Sequence, residues 1–289
     1  MVKEYIYSPH VDFYIDKKVR DHGYEMKFFH VHHKYELYYE LAGTRQYFIE
    51  DSAYTVKAGD VILIGTDQIH KTAMVGDMPT ARIVINFGDD YLKEVYQMFP
   101  DIDFTSFLSK PENHLLTGIS TKDQYIIEHS LESMLSLFQS EDPNKLTRCK
   151  LLLPVLLLHL KQIIESRDAD SIQLPAPTTN PLIADAQRYV AEHYQEDLSL
   201  QSIADALYIS PYHLSRMFKK HVGLGIVDYI KTIRIKAAQN LLLETGDSIT
   251  LVSEKAGFSS AAHFRRVFKE STGISPQKYR QYFQEKSNS

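Results

Sequence analysis

The chain has 289 residues, 44% of them hydrophobic and 24% charged, enough for two or three domains each with its own core. The longest apolar run, Leu151 to Leu160, is about half of what a membrane span needs and contains Pro154, and the opening segment lacks a signal-peptide pattern. Net charge is −5 overall, but residues 180–289 carry +3 and the remainder −8, a split that suits a modestly basic C-terminal module joined to an acidic partner domain.

The first hundred residues read as strands at Met26–His30, Tyr35–Leu41, Arg45–Ile49, Ala53–Val56, Val61–Ile64 and Arg82–Phe87. Turn signals at Ala42-Gly43, Ala58-Gly59-Asp60 and Gly76-Asp77 space them as in a sandwich or barrel. From Asp89 the period turns helical. Tyr91, Val95 and Met98 mark a short helix, Ile126 to Phe138 a longer one, and Leu146 to Ile164 another. Their Leu/Ile stripes are too rich for lone surface helices, which predicts packing against the barrel or a homodimer interface. The lone Cys149 permits no internal disulfide, so a reducing cytoplasm is expected.

Gln173 to Pro181 is rich in Pro and Thr and reads as a linker. Everything after it looks helical: Leu182–Tyr194, Leu200–Leu207 capped by Ser199, a helix starting at Ser210-Pro211, Ile226–Glu244, Ile249–Ala256 capped by Ser248, Ser260–Thr272, and a last helix from Ser275-Pro276 to about Phe283. The predicted domains are therefore a strand-rich domain at 1–105, a helical segment at 106–172, a linker at 173–181 and an all-helical domain at 182–289.

One short pattern occurs twice in that last domain. Ser210, Leu214, Arg216, Phe218, Lys219 and Gly223 recur as Ser260, Phe264, Arg266, Phe268, Lys269 and Gly273. Each copy starts at a helix-capping Ser, ends at a Gly suited to stop a helix, and follows a shorter helix across a tight turn. That is the helix-turn-helix arrangement, with Ala204 in the first unit and Ser253 and Ala256 in the second as small residues where helices cross. The faces left for the major groove carry Tyr212, His213, Ser215, Arg216 and Lys219, then Ala261, Ala262, His263, Arg265, Arg266 and Lys269. Arg pairs bidentately with guanine, Lys finds phosphate, and small residues meet a thymine methyl. Helix Ile226–Glu244 would be about 28 Å long, close to the ~34 Å between successive major-groove faces.

The runs SIADALYISPYHLSRMFKK, RIKAAQNLL and AGFSSAAHFRRVFKESTGISPQKYR resemble the AraC/XylS family of bacterial transcription regulators over residues 182–283. The resemblance implies two helix-turn-helix units joined by a long helix, with Tyr212, Ser215, Arg216, Ala261, Ala262 and Arg266 facing double-stranded promoter DNA. It makes Arg234, Gly257, Phe258, Pro276 and Tyr279 framework. Ser253 stands where the family usually has Ala, and Ala261 and Ala262 are less polar than in many members, so the second unit is expected to read fewer base edges than the first.

Upstream, His30, His32, Glu36 and Gly43 reproduce the spacing of the first cupin motif, and Gly59-Asp60, Gly65 and His70 resemble the second. Gly65, Asp67 and Met74 depart from that second motif, which weakens an enzymatic reading more than a fold reading. His30, His32, Glu36 and Tyr38 share parity and face one side of regular strands. With His70 they form a candidate effector pocket. Alternatively, His30, His32, Glu36 and His70 form a three-nitrogen, one-carboxylate set suited to Zn, Mn, Fe or Ni. His33 and His114 are expected at the surface. The predicted fold is α+β: a cupin-like β-barrel with a helical dimerisation segment, then an all-α DNA-binding domain.

The expected function is a dimeric, non-enzymatic regulator sensing a small molecule such as a sugar. It needs no cofactor, though a divalent metal fits the His/Glu set, and it contacts RNA polymerase if it activates; no membrane is involved. The alternatives are a metal-dependent cupin enzyme fused to a DNA-binding domain, and a ligand-independent regulator with a scaffold cupin.

Overall fold

The computed structural model describes residues 12–20, 31–50, 52–75, 78–167 and 180–287. The predicted strand Met26–His30, the turn at Gly76-Asp77 and nearly all of the linker lie outside the described residues.

Among the described residues eight strands build the N-terminal domain: β1 (Phe13–Arg20), β2 (Tyr35–Ala42), β3 (Thr44–Ile49), β4 (Ser52–Lys57), β5 (Val61–Ile64), β6 (His70–Met74), β7 (Thr80–Phe87) and β8 (Leu115–Leu116). They form two antiparallel sheets, one in the order β1-β7-β2-β5-β8 and one in the order β4-β3-β6. Strand alternation gives each sheet two different faces. Tyr38, Ile62, Ile64 and Val84 of the large sheet meet Tyr47, Ile49, Tyr54 and Val56 of the small one and fill the space between the sheets.

The outer face of the large sheet carries Phe13, Ile15, Leu37, Tyr39, Leu63, Ile83 and Ile85. These pack on α2 (Thr121–Gln139) and α3 (Lys145–Glu165) through Ile127, Leu131, Met134, Leu153 and Leu157. A short helix, α1 (Lys93–Met98), precedes that pair. The segment 106–172 is not wholly helical, because β8 at its start extends the large sheet beside β5.

Three strands escaped the sequence reading, β8 because it is only two residues long. β1 and β6 carry Asp16, Lys18, His70 and Thr72 on their inward faces, and a polar inward face hides the hydrophobic alternation that marks a strand.

The C-terminal domain contains α4 (Pro181–His193), α5 (Leu200–Ala206), α6 (Pro211–Val222), α7 (Ile226–Glu244), α8 (Ile249–Lys255), α9 (Ala261–Thr272) and α10 (Pro276–Ser287). The cap residues act as their chemistry demands. Ser199, Ser210, Ser248 and Ser260 each accept a backbone N–H from the first turn, and Gly223 and Gly273 take left-handed conformations at the two C-termini. Leu214, Phe218 and Val222 bury with α4, α5 and α7, while Phe264 and Phe268 bury with α8, Phe258 and Tyr279. Each helix-turn-helix unit thus has its own small core, and α7 contributes to both.

Ser253 is fully buried among apolar neighbours, and its hydroxyl makes no hydrogen bond among the described residues. A buried hydroxyl without a partner costs about 1–3 kcal/mol. Ser253→Ala is therefore expected to stabilise the domain by about 1 kcal/mol, read as a rise in melting temperature; a lower melting temperature would disprove it.

The domains also touch. Phe48 on the outer face of β3, with Val31 and Ile69, joins the core of the first helix-turn-helix unit. Lys71 Nζ donates to the Gly223 carbonyl at 3.1 Å, and Gln187 Nε2 donates to the Glu50 carbonyl at 3.2 Å. Lys236 of α7 lies 3.4 Å from Glu50. The helical pair therefore covers one face of the sandwich and the DNA-binding domain covers the other.

Candidate DNA-reading faces and sensor pocket

Helix α6 turns Leu214 and Phe218 inward and leaves Tyr212, His213, Arg216 and Lys219 exposed, with Ser215 at the margin. Helix α9 repeats this, exposing Ala262, Arg265, Arg266 and Lys269, with Ala261 and His263 partly covered. The candidate DNA-facing residues therefore lie on the solvent side of their helices. The two arginines differ in company. Arg266 lies 3.7 Å from Glu270 one turn on, whereas Arg216 has no ion-pair partner among the described residues. An exposed pair of this kind is weak, about 0.3–0.5 kcal/mol, yet it must be broken before Arg266 can meet a phosphate or a base.

The turns before these helices are closely similar. Ile209 N–H bonds back to Ala204 in the first unit and Phe258 N–H to Ser253 in the second, with one left-handed residue inside each turn. In the second unit that residue is Gly257, with φ +80°. In the first it is Tyr208, φ +56° and 96% exposed, a residue the sequence reading passed over. An aromatic residue in this conformation costs on the order of 1 kcal/mol and is a hint of function beside Tyr212. Tyr208→Gly is expected to raise the melting temperature slightly while weakening DNA binding. Unchanged DNA affinity would leave Tyr208 without a role in recognition.

The framework residues assemble the two units. Arg234 of α7 donates to the carbonyls of Tyr194 at 2.8 Å and Glu196 at 2.7 Å, and Gly257 packs on the same stretch. Tyr279 stacks edge-on against Phe268 at 5.4 Å.

In the barrel, His32, Glu36 and His70 come together and are all buried, with their ligand-type atoms within 4.8 Å of one another. His30, the fourth member of the expected set, lies outside the described residues. His32 Nδ1 faces the Lys34 carbonyl at 3.0 Å and His70 Nδ1 faces the Gln68 carbonyl at 2.8 Å. A carbonyl only accepts, so both Nδ1 atoms carry protons and both Nε2 atoms turn towards Glu36, each 3.6 Å from the same Oε2. Glu36 also accepts from the Tyr47 hydroxyl and from Asn86 Nδ2 at 3.0 Å. Burial pushes its carboxyl up, but the imidazoles of His70 and His32 outweigh this and hold it well below the usual range. Burial drives the His32 imidazole down.

Tyr38 shares this interior, its ring 5.1 Å from that of Tyr47, but its hydroxyl goes to Glu40 rather than to the His cluster. Tyr47 and Asn86 were missed because neither belongs to a spaced motif; they reach Glu36 only through the pairing of β2 with β7 and the facing of the two sheets. The expectation of surface positions for His33 and His114 is corrected. His114 is buried, against Tyr54 at 3.3 Å and Gln68 at 3.2 Å. His33 is partly buried and pairs with Asp67 at 2.6 Å.

Comparison with known proteins agrees with this architecture. Residues 13–142 match the AraC-like ligand binding domain and residues 203–282 a helix-turn-helix domain, so the chain belongs to the AraC family. The regulatory protein PocR of Salmonella typhimurium is 36% identical over 103 residues, covering 36% of this chain and 34% of PocR. The bifunctional transcriptional activator/DNA repair enzyme AdaA of Bacillus subtilis is 38% identical over 93 residues, covering 32% and 44%. An uncharacterized HTH-type transcriptional regulator of Staphylococcus aureus is 25% identical over 241 residues, covering 83% of this chain and 30% of the relative. The chain thus spans less than half the length of these curated relatives. No helix among the described residues is long and apolar enough to cross a membrane.

Proposed function

We propose that the chain is a cytoplasmic, non-catalytic, sequence-specific transcription regulator. Its barrel binds a small molecule, a sugar or related metabolite, and sets how the two reading helices sit on promoter DNA. One observation carries this reading. Strand β6 turns His70 into the barrel and the next residue, Lys71, outward onto the Gly223 carbonyl that ends α6. A ligand shifts an equilibrium only through different affinity for its two states, and β6 belongs to the pocket and to the helix contact alike.

DNA selection with the full chain tests the reading; failure to enrich any sequence would overturn it. On the selected site, Arg216→Ala should cost about 1–3 kcal/mol and relax preference at one position. Lys219→Ala should lower the salt slope by about one while leaving sequence preference intact. Equal loss of specific and non-specific binding on Arg216→Ala would make it a phosphate contact instead.

The active form is proposed to be a homodimer joined through α3, where Leu151, Val155 and Leu158 follow one helical stripe and stay exposed. Two modules on one DNA raise the effective affinity, and an activating dimer would also meet RNA polymerase. Val155→Glu should give a monomer by light scattering at unchanged helicity.

A second reading is favoured by the convergence of His32, Glu36 and His70, whose ligand-type atoms lie within 4.8 Å of one another. His32, His70 and Glu36 would then hold a divalent cation such as Zn, Mn, Fe or Ni, and the backbone carbonyls would fix the ring orientations. Metal analysis of tag-free protein decides it; less than about 0.1 equivalent of any such metal would remove it.

A further inference from the structure

The two reading helices align at a spacing of fifty residues, and one charge changes sign between them: Lys220 of α6 corresponds to Glu270 of α9. Both are exposed, and each lies one helical turn past the arginine of its unit, Arg216 or Arg266. In α6 the two positions carry like charges. In α9 the carboxylate lies 3.7 Å from Arg266 and draws it along the helix. Arg266 and Glu270 line one wall of a cleft whose other wall is the start of α7, with Asp228, Lys231 and Thr232. Asp228 holds Lys231 at 2.9 Å, so each carboxylate of the cleft already occupies a cation. The end of α6 differs: Lys219, Lys220 and His221 fill its last turn, where α9 has Lys269 as its basic residue.

Glu270 is poorly placed for the stability of its own helix. It stands near the carbonyl end of α9, where the helix dipole disfavours negative charge. An acid that follows its cation by one turn is also the weaker order for such a pair. Both side chains are more than half exposed, at 67% and 53%, so the pair itself contributes little. The carboxylate thus breaks two local rules without compensation in the fold, and such departures gather at functional positions. Towards DNA its effect is plain. A carboxylate beside the backbone is repelled by phosphate, and a cation that is already neutralised displaces fewer counterions.

We propose that Glu270 is a positioning residue that holds Arg266 back and weakens the second unit's grip on DNA, so that the two units bind with unequal strength. The proposal rests on the DNA-binding reading and deepens it by naming the residue that sets this inequality. Arg265, which stands where α6 has Ser215, does not cancel it, because it lies about 140° round the helix from Glu270.

Fluorescence anisotropy of the full chain is measured on the selected DNA and on a mixed-sequence duplex, between about 50 and 200 mM salt. Glu270→Gln should tighten both by about two- to threefold. On the selected DNA, base changes in the half-site that responds to Arg266→Ala should then cost more than they do in the parent. Glu270→Lys, which copies the first unit, should tighten binding about five- to tenfold and steepen the salt slope by about one. Lys220→Glu should do the reverse. The gain from Glu270→Gln should vanish when Arg266 is already alanine, because the two act as a pair. Melting temperatures should not fall in either Glu270 variant, since each relieves the helix end. The proposal is overturned if Glu270→Gln binds no more tightly than the parent, or if its gain survives undiminished in the Arg266→Ala background. A lower melting temperature in both Glu270 variants would overturn it too, making the residue a support of the fold. If selection enriches no sequence, sequence-specific reading falls alone, because the mixed-sequence duplex still measures Glu270.

Discussion

Gly257→Ala is expected to destabilise the DNA-binding domain by about 2–4 kcal/mol and to abolish specific DNA binding. The backbone at Gly257 has φ +80°, which costs an L-residue about 1 kcal/mol or more. The added Cβ would also lie 2.4 Å from the Tyr194 carbonyl oxygen, 2.9 Å from Gln195 Cα and 3.0 Å from Arg234 Nε. Two of these are backbone atoms, so no rotamer change relieves the overlap, and overpacking of this kind costs about 1–3 kcal/mol. The Tyr194 carbonyl also anchors Arg234, so moving it loosens the joint between the two helix-turn-helix units. Thermal melting and fluorescence anisotropy on the selected DNA measure both effects. A melting temperature and affinity equal to the parent would mean that the α4 end does not press on this turn.

Phe48→Ala is expected to release the barrel from the first helix-turn-helix unit. A Cβ at Gly223 would fall 2.6 Å from the Phe48 ring, so the glycine backbone already lies in van der Waals contact with that ring. Truncating a buried Phe costs about 3–5 kcal/mol. Here the cost falls mainly on the contact between domains, since Phe48 projects from the outer face of β3 while the barrel interior is filled by Tyr38, Tyr47 and Tyr54. Amides at the end of α6 should exchange hydrogen faster, and any effector dependence of DNA binding should fall below about twofold. Lys71→Met removes the bond to Gly223 and should give the same change in smaller measure. Unaltered exchange in Phe48→Ala would sink the coupling role of this surface.

The reading helices were legible because helix signals are local. Ser210, Leu214, Phe218 and Gly223 lie within one helix length, as do Ser260, Phe264, Phe268 and Gly273. The barrel was legible only where its strands are apolar. β1 pairs with β7 sixty or more residues away, and β6 presents His70 and Thr72 inward, so neither looks like a strand along the sequence. The cluster of His32, Glu36 and His70 followed from motif spacing, whereas Tyr47 and Asn86 reached Glu36 only through strand pairing and the facing of the two sheets. The burial of His114 had the same cause: Tyr54 and Gln68, its partners, lie sixty and forty-six residues away.

On β6, His70 and Thr72 point into the barrel and Lys71 points at the end of α6, so sensing and reading meet within three consecutive residues. Such an arrangement binds the two properties together in inheritance. On the proposed function, a substitution at position 70 or 72 that admits a new ligand would also shift the strand carrying Lys71 and retune the response in the same step. Descendants of this chain would then acquire new inputs through changes that also move the output.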